Sequence, residues 1–144
     1  NQICGYKNGK PPSINFDNEI KNGNFVYNTI REIGISGCHD VSEGGIIMSL
    51  AELCIKNKLG IQVSIPDKIK RENWLFGEDS SRYIIITNNE KKLLKYAKKM
   101  NVFVKNIGKV EGSLFKIRNE FEISLKDLIT YNKEWFKNYI DIEK

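Results

Sequence analysis

Residues 35–57 constrain the fold more than any other stretch of the chain. A short strand is expected over 35–40, ending in His39-Asp40, and Val41-Ser42-Glu43-Gly44-Gly45 turns it straight into a helix. Within 46–57 only Glu52 and Lys56 are charged, and Ile46, Ile47, Leu50, Ala51, Leu53 and Cys54 recur at helical spacing. A helix this apolar is stable only when covered, so a layered α+β architecture is expected, with helices packed on a sheet.

The remaining periodicities fill in that architecture. Residues 1–16, with Gly5, Gly9 and Pro11-Pro12, read as an extended lead-in. A helix is expected over 17–33, capped by Asp17 and striped with Ile20, Val26, Ile30 and Ile33; Gly23 weakens it by about 1 kcal/mol relative to alanine. Gly60 reads as the left-handed residue that closes the apolar helix, and residues 61–65 alternate as a strand ended by Pro66-Asp67. The run Tyr83-Ile84-Ile85-Ile86 reads as a strand at the centre of a sheet. Asn88 or Asn89 is placed to cap a lysine-rich helix, and a strand over 102–110 follows. Residues 114–117 and 121–124 form a hairpin around Asn119-Glu120, and a last helix starts near Ser124. Trp135 and Phe136 are expected to pack that helix onto the domain. The order strand, helix, strand, strand, helix, strand is the ferredoxin-like split β-α-β-β-α-β pattern, here with an added C-terminal hairpin and helix. A chain of 144 residues is one domain, placed over residues 17–144 after the lead-in.

Charge and cysteine usage narrow the function classes. The net charge is +5, and Lys91, Lys92, Lys95, Lys98 and Lys99 share one helix face opposite Leu93, Leu94, Ala97 and Met100. A nucleic-acid groove interleaves aromatic residues or arginines with its lysines, so this face reads as solvated and no nucleic-acid partner is expected. No apolar run approaches the ~20 residues of a membrane helix, so no membrane partner is expected. Cys4, Cys38 and Cys54 are odd in number and lack CxxC spacing, which fits reduced thiols in the cytoplasm, with Cys38 and Cys54 in the core. The chain opens on Asn-Gln-Ile-Cys without an initiator methionine, as a fragment of a longer protein would.

Two clusters are candidates for chemistry. In the first, His39-Asp40-Val41-Ser42-Glu43-Gly44-Gly45, a helix start offers unpaired N–H groups and the positive end of the helix dipole. Gly44 and Gly45 would let an anion approach that backbone closely, and Ser42 can cap the helix or bond a phosphate oxygen. Asp40, at the strand end, is placed to hold a magnesium ion accompanying such a phosphate, and His39 to donate to the anion or tune that carboxylate. The same residues also suit a plain N-capped helix with a tight glycine turn and a hydrogen-bonded His39. The second cluster, Glu78-Asp79-Ser80-Ser81-Arg82, precedes the strand at 83–86. Because the first and third strands are neighbours in the split fold, Glu78 and Asp79 are expected near the first cluster. The plainer alternative is a surface turn with Arg82 paired to an acid.

Taken together, Pro11-Pro12, Asn22-Gly23-Asn24-Phe25-Val26, His39 to Gly45, Leu75-Phe76-Gly77-Glu78-Asp79 with Arg82-Tyr83, Ile107-Gly108-Lys109-Val110 and the 125–135 region resemble one known family. It is the C-terminal domain of the AIR synthase-related (PurM-like) superfamily, in the form of the second half of phosphoribosylformylglycinamidine synthases of the PurL type. The resemblance implies ATP-dependent amidation of formylglycinamide ribonucleotide, with glutamine-derived ammonia and with ATP and Mg2+ as cofactors. It implies as partners the missing N-terminal AIR synthase-like domains of the same chain, a glutaminase subunit or domain and a small accessory subunit. It places a phosphate, nucleotide or substrate pocket at His39, Asp40, Ser42, Gly44, Gly45, Glu78, Asp79 and Ser80, with Asp40 as metal ligand and no catalytic residue in this fragment alone. Glu43 stands where the family usually has aspartate and Ser80 where glutamine is common. Another superfamily member, of the HypE, selenophosphate synthetase or thiamine-monophosphate kinase type, and a stand-alone ferredoxin-like module for a small ligand or RNA are the alternatives.

Overall fold

The computed structural model describes residues 13–142. Its elements are α1 (Phe16–Glu32), β1 (Gly37–Asp40), α2 (Gly45–Asn57), β2 (Ile61–Val63), α3 (Arg71–Phe76), β3 (Tyr83–Ile86), α4 (Glu90–Lys99), β4 (Gly108–Val110), β5 (Leu114–Ile117), β6 (Phe121–Ser124) and α5 (Leu125–Ile142). The class is the mixed helix-and-sheet one expected, and the first and third strands do pair. β1 and β3 form an antiparallel ribbon that sets Gly37 opposite Ile86 and Asp40 opposite Tyr83. The second strand leaves that ribbon. β2 lies antiparallel to β4 and parallel to β5, in a separate sheet ordered β4-β2-β5-β6. Tyr83–Ile86 is therefore half of a two-stranded ribbon and not the middle of a broad sheet; only Ile84 is buried.

α2 is the element that ties the two sheets together. Its Ile46, Leu50, Ala51 and Cys54 meet Ile84 of β3, Ile61 and Val63 of β2, and Phe115 and Ile117 of β5 in one core. Trp74 and Leu75 of α3 and Leu125 of α5 close it. Each of the larger of these, Ile46 and Leu50 on the helix among them, contributes about 1.5–3 kcal/mol on burial, so this helix anchors both layers. A smaller cluster joins Phe25 and Ile33 to Leu93 and Ala97 of α4, with the Phe25 ring stacked on Tyr96 at 5.6 Å.

Several local expectations change. Asn15, not Asp17, caps α1: its side chain accepts from the Asn18 amide at 3.0 Å, while Asp17 sits in the first turn where the dipole favours it. α2 ends on Lys58 in the left-handed region, φ 55°, and Gly60 is instead buried against the 111–114 turn. In 102–107, half-buried Val102 and Val104 alternate with exposed Phe103 and Lys105 like a strand, yet the ladder with β2 begins only at Gly108. Leu94 stays exposed, so the apolar face of α4 is narrower than the sequence suggested, while its five lysines are solvated as expected. α5 packs through Leu125, with Leu128 and Ile129 partly covered, but every residue from Thr130 to Ile140 is exposed. Trp135, 60% exposed, and Phe136 touch each other edge to face and do not pack on the domain, because the helix outruns the body that would cover them. Among the described residues, no helix is long and apolar enough to cross a membrane.

Candidate functional site

The two sequence clusters meet at the end of the β1–β3 ribbon. The register places Asp40 opposite Tyr83, and the Val41 amide continues the ladder by donating to the Arg82 carbonyl at 2.9 Å. One step further, the Gly44 amide donates to Oε1 of Glu78 at 2.8 Å. Gly45 then seals the junction. Its φ is +70°, and a Cβ there would lie 2.6 Å from the Leu75 carbonyl oxygen and 2.7 Å from the Phe76 carbonyl carbon. Only glycine meets both conditions. The start of α2 and the end of α3 are thus in backbone contact, which is what brings Glu78 within reach.

His39 is half-buried on β1. Its Nδ1 donates to the Asp40 carbonyl oxygen at 2.6 Å, and its Nε2 faces Oε2 of Glu52 at 3.0 Å. Glu52 is a member of this network that the sequence reading did not single out. The available signal was an acid inside the otherwise apolar 46–55 stretch, one turn beyond Ser49. Ser49 is itself buried and donates to the carbonyls of Asp40 and Gly45. His39 therefore ties strand to helix and does not point at the start of α2. The Asp40 side chain is 67% exposed, and the His39 Nδ1 lies 3.6 Å from its Oδ1.

Ser42 does not take the capping role open to it. Gly44 holds the N-cap position at φ 78°, and the Ser42 carbonyl closes the turn by accepting from the Gly45 amide at 3.1 Å. Asp79 is exposed and Ser80 half-buried on the second loop. Among the described residues Arg82 is not paired with an acid side chain as the plainer alternative had it. Its guanidinium donates to the carbonyls of Gly77 at 2.7 Å and Trp74 at 3.1 Å, at the C-terminal end of α3.

Electrostatically the junction is acidic. Asp40, Glu43, Glu52, Glu78 and Asp79 surround it, against His39 and Arg82. Burial pushes the Tyr83 phenol up, helped by the negative charges of Glu19 and Asp40, and burial followed by Asp40 does the same to the Cys38 thiol. Burial holds the Arg82 guanidinium below its ordinary pKa, with Asp79 opposing. An anion arriving here would meet carboxylates first, and of the amides at the helix start those of Gly44 and Gly45 already have partners in the chain. Among the described residues no three potential metal ligands gather. A solvated Asp40 nevertheless fits magnesium, which is commonly held by one or two carboxylates plus phosphate oxygens and water.

Comparison with known proteins gives this geometry its context. Residues 17–117 match the family described as AIR synthase related protein, C-terminal domain. The chain is 34% identical over 140 residues to the phosphoribosylformylglycinamidine synthase subunit PurL of Methylocella silvestris, covering 96% of this chain and 19% of that protein. It is 35% identical over 142 residues to the same subunit of Pelagibacter ubique, covering 96% and 20% respectively. The chain therefore spans about one fifth of the length of these relatives. Among solved structures, Thermotoga maritima PurL complexed with FGAR superposes with a TM-score of 0.73 at 20% identity, over 88% of this chain and 23% of that one. PurL of the same organism complexed with ATP superposes with a TM-score of 0.63 at 20% identity, over 76% and 21%. These superpositions reproduce the fold, and the family model covers the ribbon, both loops and α2. The chain belongs to the AIR synthase-related C-terminal domain family.

Proposed function

We propose that this chain is the C-terminal lobe of the second half of a phosphoribosylformylglycinamidine synthase. In that reading the complete enzyme uses ATP and glutamine-derived ammonia to convert formylglycinamide ribonucleotide to its amidine, in the cytoplasm. The remaining AIR synthase-like domains and a glutaminase supply what this lobe lacks. The observation that carries the reading is the Gly44–Glu78 hydrogen bond, which makes one site of the two loops that the resemblance sets around nucleotide or substrate. Support also comes from relatives named PurL that align along nearly all of this chain.

Within the site, Asp40 would hold a magnesium ion accompanying a nucleotide phosphate, and the ion would supply charge neutralisation for that phosphate. Ser42, Asp79 and Ser80 line the loops around it, and Gly44 and Gly45 shape the backbone. His39 serves by holding β1 to α2 through Glu52. The expected result is that the chain alone, given ATP, Mg2+, formylglycinamide ribonucleotide, glutamine and a glutaminase, forms no amidine, whereas the longer protein with its glutaminase does. Amidine formation by the chain alone would overturn the assignment as a dependent lobe. Inactivity of the longer protein with its glutaminase would overturn the reaction.

A further inference from the structure

We propose that Arg82 is a positioning residue that, by holding the Gly77 carbonyl, sets the Glu78 carboxylate on the Gly44 amide. The inference deepens the reading above, on which the place of Glu78 in the pocket rests. The peptide unit between Gly77 and Glu78 is fixed from two directions. The Gly77 amide donates to the Asn73 carbonyl at 3.0 Å, and the Gly77 carbonyl accepts from Arg82 Nη1 at 2.7 Å. A Cβ on Gly77 would collide with the Asn73 carbonyl oxygen, so the turn after α3 leaves no room for a side chain at this position. Glu78 is the next residue, and its side chain crosses to Gly44, 34 positions earlier.

Arg82 is brought back beneath α3 by a turn that is unfavourable by itself. Ser81 has φ 63°, and its hydroxyl is buried without a partner among the described residues. A non-glycine residue in this region costs about 1–2 kcal/mol. The turn is offset by bonds at its two ends: Asn22 Nδ2 donates to the Ser81 carbonyl at 3.0 Å, and Arg82 reaches the carbonyls of Trp74 and Gly77. A half-buried guanidinium has five donors in a rigid fork, so it can bind two helix-end carbonyls at once, which an ammonium on a flexible stem does less well. A residue that merely capped α3 would leave Gly44 unaffected. A residue that aims Glu78 would not.

The test is NMR of the 15N-labelled chain. Glu78→Gln is expected to move the Gly44 amide resonance and to raise Gly44 amide exchange on the order of tenfold, as loss of a hydrogen bond to a charged group does. Arg82→Ala is expected to move the Gly44 amide resonance in the same direction and to raise Gly44 amide exchange to a similar degree. Arg82→Lys is expected to restore part of both. The Val41 and Ile84 amides report whether the ribbon is intact. If Arg82→Ala fails to fold, the same two readings in Arg82→Gln, which retains one donor group, decide the question. An unmoved Gly44 resonance with unchanged exchange in a folded variant overturns the proposal. Because no nucleotide or substrate is used, this outcome is independent of whether the longer protein makes amidine.

Discussion

Gly45 shows how much of the site rests on the absence of one carbon atom. A side chain there would have to enter the backbone of Leu75 and Phe76 and accept a φ of +70°. Left-handed strain of about 1–2 kcal/mol and overpacking of about 1–3 kcal/mol then add, so Gly45→Ala is expected to destabilise the chain by about 2–5 kcal/mol. Urea denaturation would measure it, and a loss below about 1 kcal/mol would show that the α2–α3 junction yields. The sequence reading had these glycines in the right place but attributed them to anion approach. Their separation from Leu75 and Phe76 in the chain hid the contact that requires Gly45. Glu78, by contrast, was legible as a neighbour of the glycine turn, because pairing of the first and third strands follows from element order alone. The approach of His39 to Glu52 was not, since it depends on how α2 is rotated over β1.

At the scale of elements, most segments were readable in the apolar spacing, short strands included, and the shortest helix was not. α1, α2, the β5–β6 hairpin and α5 lie close to where the apolar spacing put them. α3 was missed because six residues, with Trp74 and Leu75 as their buried positions, are too few to display a helical period. The reading of α5 was right in spacing and wrong in consequence: periodicity shows which face is apolar but not what lies against it. The two tryptophans make this testable in one experiment. Trp74 is 7% exposed and Trp135 60% exposed. Trp74→Ala is expected to cost about 3–5 kcal/mol, as large core truncations do. Trp135→Ala should stay within about 0.5 kcal/mol, as surface changes do. Equal costs for the two would mean that α5 folds back onto the body in solution.

For the molecule as a whole, stability should fall in alkali through the thiol at its centre. Cys54 is 1% exposed in the core shared by both sheets, and burial pushes its thiol from the ordinary 9.0 to about 11. Between those values the unfolded chain has released a proton that the folded chain retains. Stability is therefore unaffected by this group below pH 9 and declines as pH rises from 9 to 11. Cys54→Ala should flatten that part of the profile of denaturation midpoint against pH, and an unchanged slope would assign the decline to other groups. The whole-molecule class was legible from the order of strands and helices, whereas the division into two sheets was not. It depends on β2 choosing β4 and β5 as partners, a decision taken by packing against α2 and invisible in any single segment. The bare end of α5 also governs how the molecule moves through water. At about 1.5 Å per residue, the uncovered turns from Thr130 to Ile140 add a rod of roughly 16 Å to the body. A chain of 16.6 kDa shaped in this way diffuses and tumbles more slowly than a sphere of equal mass, so it elutes early in gel filtration even as a single copy.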